Sequence, residues 1–253
     1  MSKSDLIGII GGTGLNQWPD LEVIERRVCE TSYGAPSAPL LFGRIGNTDV
    51  VFLVRHGQGH KIPPHRINYR ANLRALADVG ANQVLSTAAV GGIAKWFVPG
   101  EIAIPGDLID YSFGREHTFS DGSPDAALNH LDFTAPYSAD LRVRLMAAAK
   151  RAGVALAGEG VMGITQGPRL ETPAEVRRLA RDGCDMVGMT GMPEAALAGE
   201  LGLPYACIAI SVNWAAGIGT AGIHDEIAQS IEAGVRKAKA LLHATLVSAS
   251  PKP

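Results

Sequence analysis

Short apolar runs alternate with helical patterns along most of the chain. Several runs are apolar at every position, which is typical of central strands covered by helices on both faces. This alternation predicts an α/β fold, and the length favours one domain over residues 1–253. The predicted strands are residues 6–10, 49–54, 83–88, 101–104, 160–165, 186–189 and 205–212.

Three helices can be placed from signals at their ends. Ser138 has the residue type and position of an N-cap, and an apolar stripe at helical spacing follows it. Thr172 and Glu175 have the spacing of a capping box, and Gly183 marks the end of that helix. The last helix begins near Asp225 and carries apolar residues along one face.

Composition narrows the range of functions. The net charge is −2 with acids and bases interspersed. The sequence therefore contains no basic stripe of the kind that binds nucleic acid or an anionic membrane. The three cysteines have no CxxC spacing, which argues against a disulfide framework and a zinc site. No uncharged apolar run approaches the roughly 20 residues that span a bilayer. We expect a soluble, cytoplasmic protein that acts on a small molecule.

The first strand ends in a glycine-rich loop, within the sequence GIIGGTGL. The dinucleotide fingerprint is incomplete because its third glycine is missing, and no Gly-Lys-Ser/Thr follows to complete a Walker loop. Glycines at a strand end can let backbone N–H groups approach an anion, and the Thr13 hydroxyl would add a donor. A plain tight turn is the alternative.

A cation and an imidazole follow the second predicted strand. Arg55 and His56 would lie at the carboxyl edge of the sheet, where α/β proteins usually bind ligands, and would suit an anion. His60 and His65 could join His56 around a metal, but no acid stands at ligand spacing, so we predict no metal site. A surface ion pair is the alternative for Arg55 and His56.

Polar residues also follow the later strands. Glu175 is accounted for by the capping box, which leaves Glu171 as an acid without a structural role. Asn213 emerges from an apolar strand and offers both a donor and an acceptor to a heterocycle. Met189 and Thr190 could contact a sugar and an anion, although methionines that fill the core are the alternative.

Taken in order, these stretches resemble the trimeric purine nucleoside phosphorylase and methylthioadenosine phosphorylase family, including its methylthioinosine branch. The resemblance covers residues 7–245 through GIIGGTGL, RHG, NYRANL, GPRLET, GMTGMPEAALA and SVNWAAG. It implies one α/β domain with a mixed, partly barrel-like sheet flanked by helices. It also implies phosphorolysis, in which inorganic phosphate attacks the anomeric carbon to give a purine and a pentose 1-phosphate.

The resemblance also implies roles for residues of this sequence. The predicted phosphate site consists of Thr13, Arg55, His56, the backbone at Ala89, and Thr190. The predicted purine site consists of Leu170, Glu171 and Asn213. The predicted sugar site consists of Met189, His224 and, from a neighbouring subunit of a homotrimer, His130. Arg55, His56 and Asn213 would be the catalytic residues, and the reaction would need no cofactor and no metal.

Departures from the family pattern bear on the substrate. Leu170 replaces a common phenylalanine, so base stacking should be weaker. Asn213 and Ala215 stand where methylthioadenosine enzymes usually carry two aspartates, which favours 6-oxopurines such as inosine or methylthioinosine. His224 stands where methylthio-specific relatives carry an apolar residue, so it could bond a 5′-hydroxyl or simply lie half-exposed at a helix start.

Three other functions remain open at the level of sequence. Methylthioadenosine phosphorolysis is the nearest alternative. A nucleoside-binding protein without catalysis is a more distant one, and the complete set of phosphate residues argues against it. A dinucleotide-dependent oxidoreductase would need the third glycine that the first loop lacks.

Overall fold

The computed structural model describes residues 5–12, 14–15, 18–120, 122, 130–220 and 222–247. One mixed sheet of ten strands forms its centre. The strands are β1 (Ile7–Gly11), β2 (Glu22–Arg27), β3 (Leu40–Ile45), β4 (Thr48–Val54), β5 (Gln83–Gly92), β6 (Ile102–Ala103), β7 (Asp107–Asp110), β8 (Val161–Ile164), β9 (Met186–Gly188) and β10 (Tyr205–Trp214). The helices are α1 (Tyr69–Asp78), α2 (Ala139–Ala152), α3 (Pro173–Arg181), α4 (Glu194–Glu200) and α5 (Ile223–Val247).

The sheet branches at β5. The main path runs in the order β2-β3-β4-β1-β5-β9-β8-β7, and β10 pairs with β5 and β6 outside this path. Strand β5 is parallel to β1 through its first half, parallel to β10 along most of its length, and antiparallel to β9 at its end. The predicted α/β class with a mixed central sheet is therefore confirmed.

Helices cover both faces of the sheet. One core cluster combines side chains of α1 and α4 with the sheet, and a second combines α2 and α5 with the opposite side. Strand β5 is buried at nine of its ten positions, as is β10, because helices lie over both faces. This agrees with the prediction that runs apolar throughout are central strands.

Local signals placed the helix ends correctly. The Ser138 side chain caps α2, and Gly153 follows in the left-handed conformation. Thr172 and Glu175 form the predicted reciprocal capping box of α3. The last helix begins at Ile223, close to the predicted Asp225. Across the described helices, none is long and apolar enough to cross a membrane.

All seven predicted strands are present, but β2, β3 and β7 were not predicted. Strand β2 is exposed at every position and has the sequence EVIERR, in which charged residues hide any alternation. It forms an edge hairpin with β3, so only backbone pairing with a neighbour makes it a strand. Helix α1 was also not predicted, whereas α4 confirms the helix that the sequence DMVGMTGMPEAALA predicts after its strand.

The topology brings three candidate segments to one edge of the sheet. Strands β1, β4 and β5 are adjacent and parallel, so their carboxyl ends point the same way. Gly12 follows β1, Arg55 follows β4, and Ala89 lies near the end of β5. The cavity described below lies at this edge, as expected for an α/β sheet.

Candidate active site

A cavity of about 420 Å³ lies at this edge and gathers most of the predicted residues. Its wall includes Arg55, His56, Ala89, Leu170, Glu171, Met189, Thr190 and Asn213. A cavity of this volume can accommodate a nucleoside together with a phosphate ion. This cavity therefore brings together four of the predicted phosphate residues, all three predicted purine residues and, of the predicted sugar residues, Met189.

Arg55 is one of the largest fully buried side chains, with 1% of its surface exposed. Its Nε and Nη2 donate to the two carboxylate oxygens of Glu194 at 2.5 and 2.8 Å, and Nη1 donates to the Thr87 carbonyl at 2.7 Å. Burial alone would lower the pKa of Arg55, but the charge and hydrogen bonds of Glu194 outweigh it and raise that pKa. The alternative interpretation of Arg55 and His56 as a surface ion pair is therefore wrong.

Glu194 extends this pair into a buried network. Its Oε2 also accepts from the Tyr205 hydroxyl at 2.9 Å, and that hydroxyl in turn accepts from Ser86 at 2.7 Å. Glu194 has no exposed surface, so these contacts take the place of water in compensating its charge. The network fixes the guanidinium plane, and each Nη keeps one N–H that Glu194 and Thr87 do not use.

His56 is held in one tautomer. Its Nδ1 lies 2.9 Å from the Ile62 carbonyl, which can only accept, so Nδ1 carries the proton. Burial, with Arg55 adding a smaller effect, lowers the pKa of His56 to about 4. The ring is therefore neutral near pH 7, and Nε2 is a hydrogen-bond acceptor. The His60 ring packs against it with centroids 4.2 Å apart.

The loop after β1 lies close to Arg55 and Thr87. A Cβ at Gly12 would lie 2.7 Å from the Thr87 carbonyl oxygen and 3.0 Å from Arg55 Nη1, so only glycine fits. The Gly12 N–H donates to the Thr87 hydroxyl at 3.0 Å. Thr13, predicted to bind phosphate, lies outside the described residues. In the described part of the loop, the Gly12 backbone therefore lies close to Arg55 at this edge of the sheet.

Asn213 is aimed into the cavity by an irregularity of β10. The pairing with β5 shifts between Ser211 and Asn213, which is the pattern of a bulge that redirects a side chain. Asn213 Nδ2 donates to the Trp214 carbonyl at 2.6 Å, which leaves its second N–H and the amide oxygen for a ligand. A Cβ at Gly91 would lie 3.3 Å from Nδ2, so glycine makes room for the amide.

Glu171 is oriented from its own loop. Its Oε1 accepts from the Thr165 hydroxyl at 2.5 Å. The same loop passes over Met189, because a Cβ at Gly167 would lie only 2.5 Å from the Met189 sulfur. Leu170 lines the cavity and keeps 39% of its surface exposed, as expected of a loop residue that covers a ligand site.

The two histidines predicted for the sugar site do not line the cavity of this chain. His224 is exposed at the first turn of α5 and does not line the cavity, whereas Ile223, Ile227 and Ile231 of the same helix do. His130 is also exposed and away from the cavity of its own chain. Among the described residues of this chain, the α5 end of the cavity is therefore apolar.

The part of the chain that the structure describes contains no cluster of His, Cys, Asp and Glu that could hold a metal. His65, considered for a metal with His56, does not line the cavity. The three cysteines are free. The polar groups of the cavity are donors and acceptors suited to an anion and a heterocycle.

Sequence reasoning missed two polar residues and an apolar wall. Glu194 stands in GMPEAALA as a lone acid among small apolar residues, and this was the signal in the sequence for its burial. Thr165 gave no signal because a threonine ending a strand is common. The spacing of Ile227 and Ile231 predicts one apolar face of the last helix, and in the structure both line the cavity together with Ile223.

Comparisons with known proteins identify the family and the fold of this chain. Residues 6–247 match the family model described as the phosphorylase superfamily. A probable S-methyl-5′-thioinosine phosphorylase of Xanthomonas campestris is 51% identical over 87% of this chain and 88% of its own. A probable 6-oxopurine nucleoside phosphorylase of Thermococcus kodakarensis is 42% identical over 93% and 90%. The solved methylthioadenosine phosphorylase of Schistosoma mansoni with tubercidin has a TM-score of 0.91 and 30% identity, covering 99% and 93%.

Proposed function

This chain belongs to the phosphorylase superfamily, and we propose that it catalyses phosphorolysis of a 6-oxopurine nucleoside, with 5′-methylthioinosine preferred. Inorganic phosphate attacks the anomeric carbon, the glycosidic C–N bond breaks, and a free purine and 5-methylthioribose 1-phosphate form. No cofactor takes part. The observation that carries the proposal is a single cavity. It is lined both by residues suited to bind an anion, Arg55 and His56, and by the side chains of Glu171 and Asn213.

The anion end is formed by Arg55, His56, Thr190 and the backbone at Ala89. We propose that phosphate binds there with Thr13, as the family resemblance implies. Arg55 offers its two unused N–H groups, while the His56 Nε2 lone pair accepts from a protonated phosphate oxygen. Bond cleavage builds positive charge on the sugar, and an anion held beneath it stabilises that charge.

The base end explains how the leaving group is stabilised. When the C–N bond breaks, its electron pair moves onto the purine and reaches N7 and O6. The unused N–H of Asn213 can donate to N7 and so stabilise the developing negative charge. The departing base later takes a proton from solvent. Because phosphate is the nucleophile, the step needs no covalent intermediate with the protein.

Specificity for the base follows from the hydrogen-bonding pattern. A 6-oxopurine has a proton on N1 for the Glu171 carboxylate, whereas adenine has a lone pair there. A mismatch of buried polar groups discriminates by up to about 10⁴–10⁵, so we expect at least about tenfold preference for 6-oxopurines. Adenosine and methylthioadenosine should be poorer substrates than inosine and methylthioinosine.

The α5 end of the cavity favours a methylthio group over a hydroxyl. Ile223, Ile227 and Ile231 line it, and His224 is exposed and directed away from the lining within its own subunit. An apolar wall gains free energy from burying a methylthio group but leaves a 5′-hydroxyl without a partner. We therefore place methylthioinosine ahead of inosine.

We also propose that the active unit is a homotrimer in the cytoplasm. His130 is exposed and lies away from its own cavity, which suits contact with the sugar in a neighbouring subunit. Sedimentation should give a trimer. Mixing inactive Arg55→Ala and His130→Ala proteins under conditions of subunit exchange should restore activity, because some sites then combine two intact halves. An active monomer would refute this assembly.

The function is tested by incubating the protein with methylthioinosine, inosine, methylthioadenosine and adenosine, each with and without phosphate. We expect free hypoxanthine from methylthioinosine only when phosphate or arsenate is present. The exposed variant Glu25→Gln serves as a matched control that should behave as wild type. Binding of nucleosides without phosphate-dependent release of base would indicate a binding protein. Equal or better efficiency on methylthioadenosine would refute the 6-oxopurine assignment.

A further inference from the structure

The loop that carries Glu171 separates two cavities. One is the candidate active site, and the other, of about 390 Å³, lies on the far side of the loop. Glu171 lines both, whereas Thr165, Arg169 and Glu175 line only the second. Glu171 therefore lies in a shared wall, and the contacts of its two carboxylate oxygens decide which of them is left for the candidate active site.

A cation competes for this carboxylate in the second cavity. Arg169 is paired with Glu175 through contacts of 2.6 and 2.8 Å, on a side chain that is mostly exposed. Glu171 contributes to raising the pKa of Arg169, although Glu175 contributes more, so the two charges already interact. Without another restraint, the carboxylate could turn towards this guanidinium and away from the base.

Thr165 supplies the restraint from the end of β8. Its hydroxyl donates to Glu171 Oε1 at 2.5 Å. Its backbone is fixed on both sides, because its N–H donates to the Gly188 carbonyl at 2.9 Å and its carbonyl accepts from Arg115 Nη2 at 3.1 Å. Threonine is also stiff at χ1, so the hydroxyl is a donor at a fixed place.

We propose that Thr165 is the positioning residue that sets purine specificity in the reaction proposed above, on which this inference rests. By occupying Oε1, its hydroxyl leaves Oε2 as the acceptor for N1–H of a 6-oxopurine. The same fixed acceptor repels the N1 lone pair of adenine. Thr165 does not touch the substrate, so it acts entirely through Glu171.

The test is the ratio of kcat/KM for methylthioinosine to kcat/KM for methylthioadenosine. Thr165→Val keeps the branched shape and removes the hydroxyl, and the ratio should fall by about tenfold or more, as expected for losing a hydrogen bond to a charged group. Thr165→Ser keeps the hydroxyl and should restore most of the ratio. The KM for phosphate should stay unchanged in both variants, because Thr165 does not line the phosphate end.

Thr48→Val is the matched control, since its hydroxyl donates to the Leu246 carbonyl at 2.7 Å and neither residue lines the cavity. If Thr165→Val does not fold, Thr165→Ala takes its place. An unchanged ratio, or a phosphate KM that rises as much as the nucleoside KM, overturns the role of Thr165. Such a result with an active wild type leaves the proposed function standing, whereas an inactive wild type overturns both.

Discussion

Replacing Glu194 with glutamine tests how far the buried network supports both the fold and the phosphate site. The side chain keeps its shape, but Arg55 loses its counter-charge and one amide N–H would face a guanidinium N–H. Both residues are almost without exposed surface, so water cannot compensate the cation. We therefore expect a large loss of stability.

The magnitude follows from the cost of leaving one buried charge unpaired. Breaking such a pair costs about 3–5 kcal/mol. In a chain of this size each kcal/mol lowers the unfolding midpoint by roughly 2–4 °C, so the midpoint should fall by roughly 6–20 °C. Thermal unfolding followed by circular dichroism in phosphate-free buffer measures this fall.

The effect of added phosphate on the unfolding midpoint gives a second test of Glu194→Gln. A bound dianion would partly compensate the unpaired guanidinium of Arg55, so the midpoints of Glu194→Gln and wild type should move closer as phosphate is added. The double variant Arg55→Met/Glu194→Leu replaces the pair by apolar groups of similar volume, and should be more stable than Glu194→Gln. Glu25→Gln breaks an exposed pair and is the control. An unchanged midpoint in Glu194→Gln would refute this account of Arg55.

Three further predictions concern the site and its neighbouring helix. Arg55→Lys keeps the charge but loses the planar fork, so the KM for phosphate should rise about tenfold while free hypoxanthine binds as before by calorimetry. His56 has a folded-state pKa of about 4 against an ordinary 6.5, so its contribution to stability is complete above pH 6.5 and is lost as the pH falls towards 4. Urea unfolding should show a weaker pH dependence in this window for His56→Asn, and an identical dependence would contradict the shift. Thr172→Ala removes the cap of α3 and should cost about 1 kcal/mol, or roughly 2–4 °C, whereas an unaltered midpoint would show that the cap is dispensable.

The sequence by itself determined the local features of this protein. The ends of α2 and α3 follow from Ser138, Thr172 and Glu175, because caps are satisfied by side chains within three residues of the backbone groups they bond. The central strands follow from runs that are apolar on both faces. Much of the candidate site also follows, since Arg55 directly follows an apolar strand and Asn213 lies near the carboxyl end of another.

Only the tertiary structure decided which distant groups pair. Arg55 and Glu194 are 139 residues apart, and nothing local to either residue encodes their contact. Strand β2 exists because β3 offers it backbone partners, although its own sequence shows no strand pattern. At the start of α5, Ile223 lies in the cavity wall, whereas the next residue, His224, is exposed, because successive residues of an α-helix are rotated by about 100° around its axis. The sequence sets the spacing along that helix, but its packing against the sheet decides which face lines the cavity.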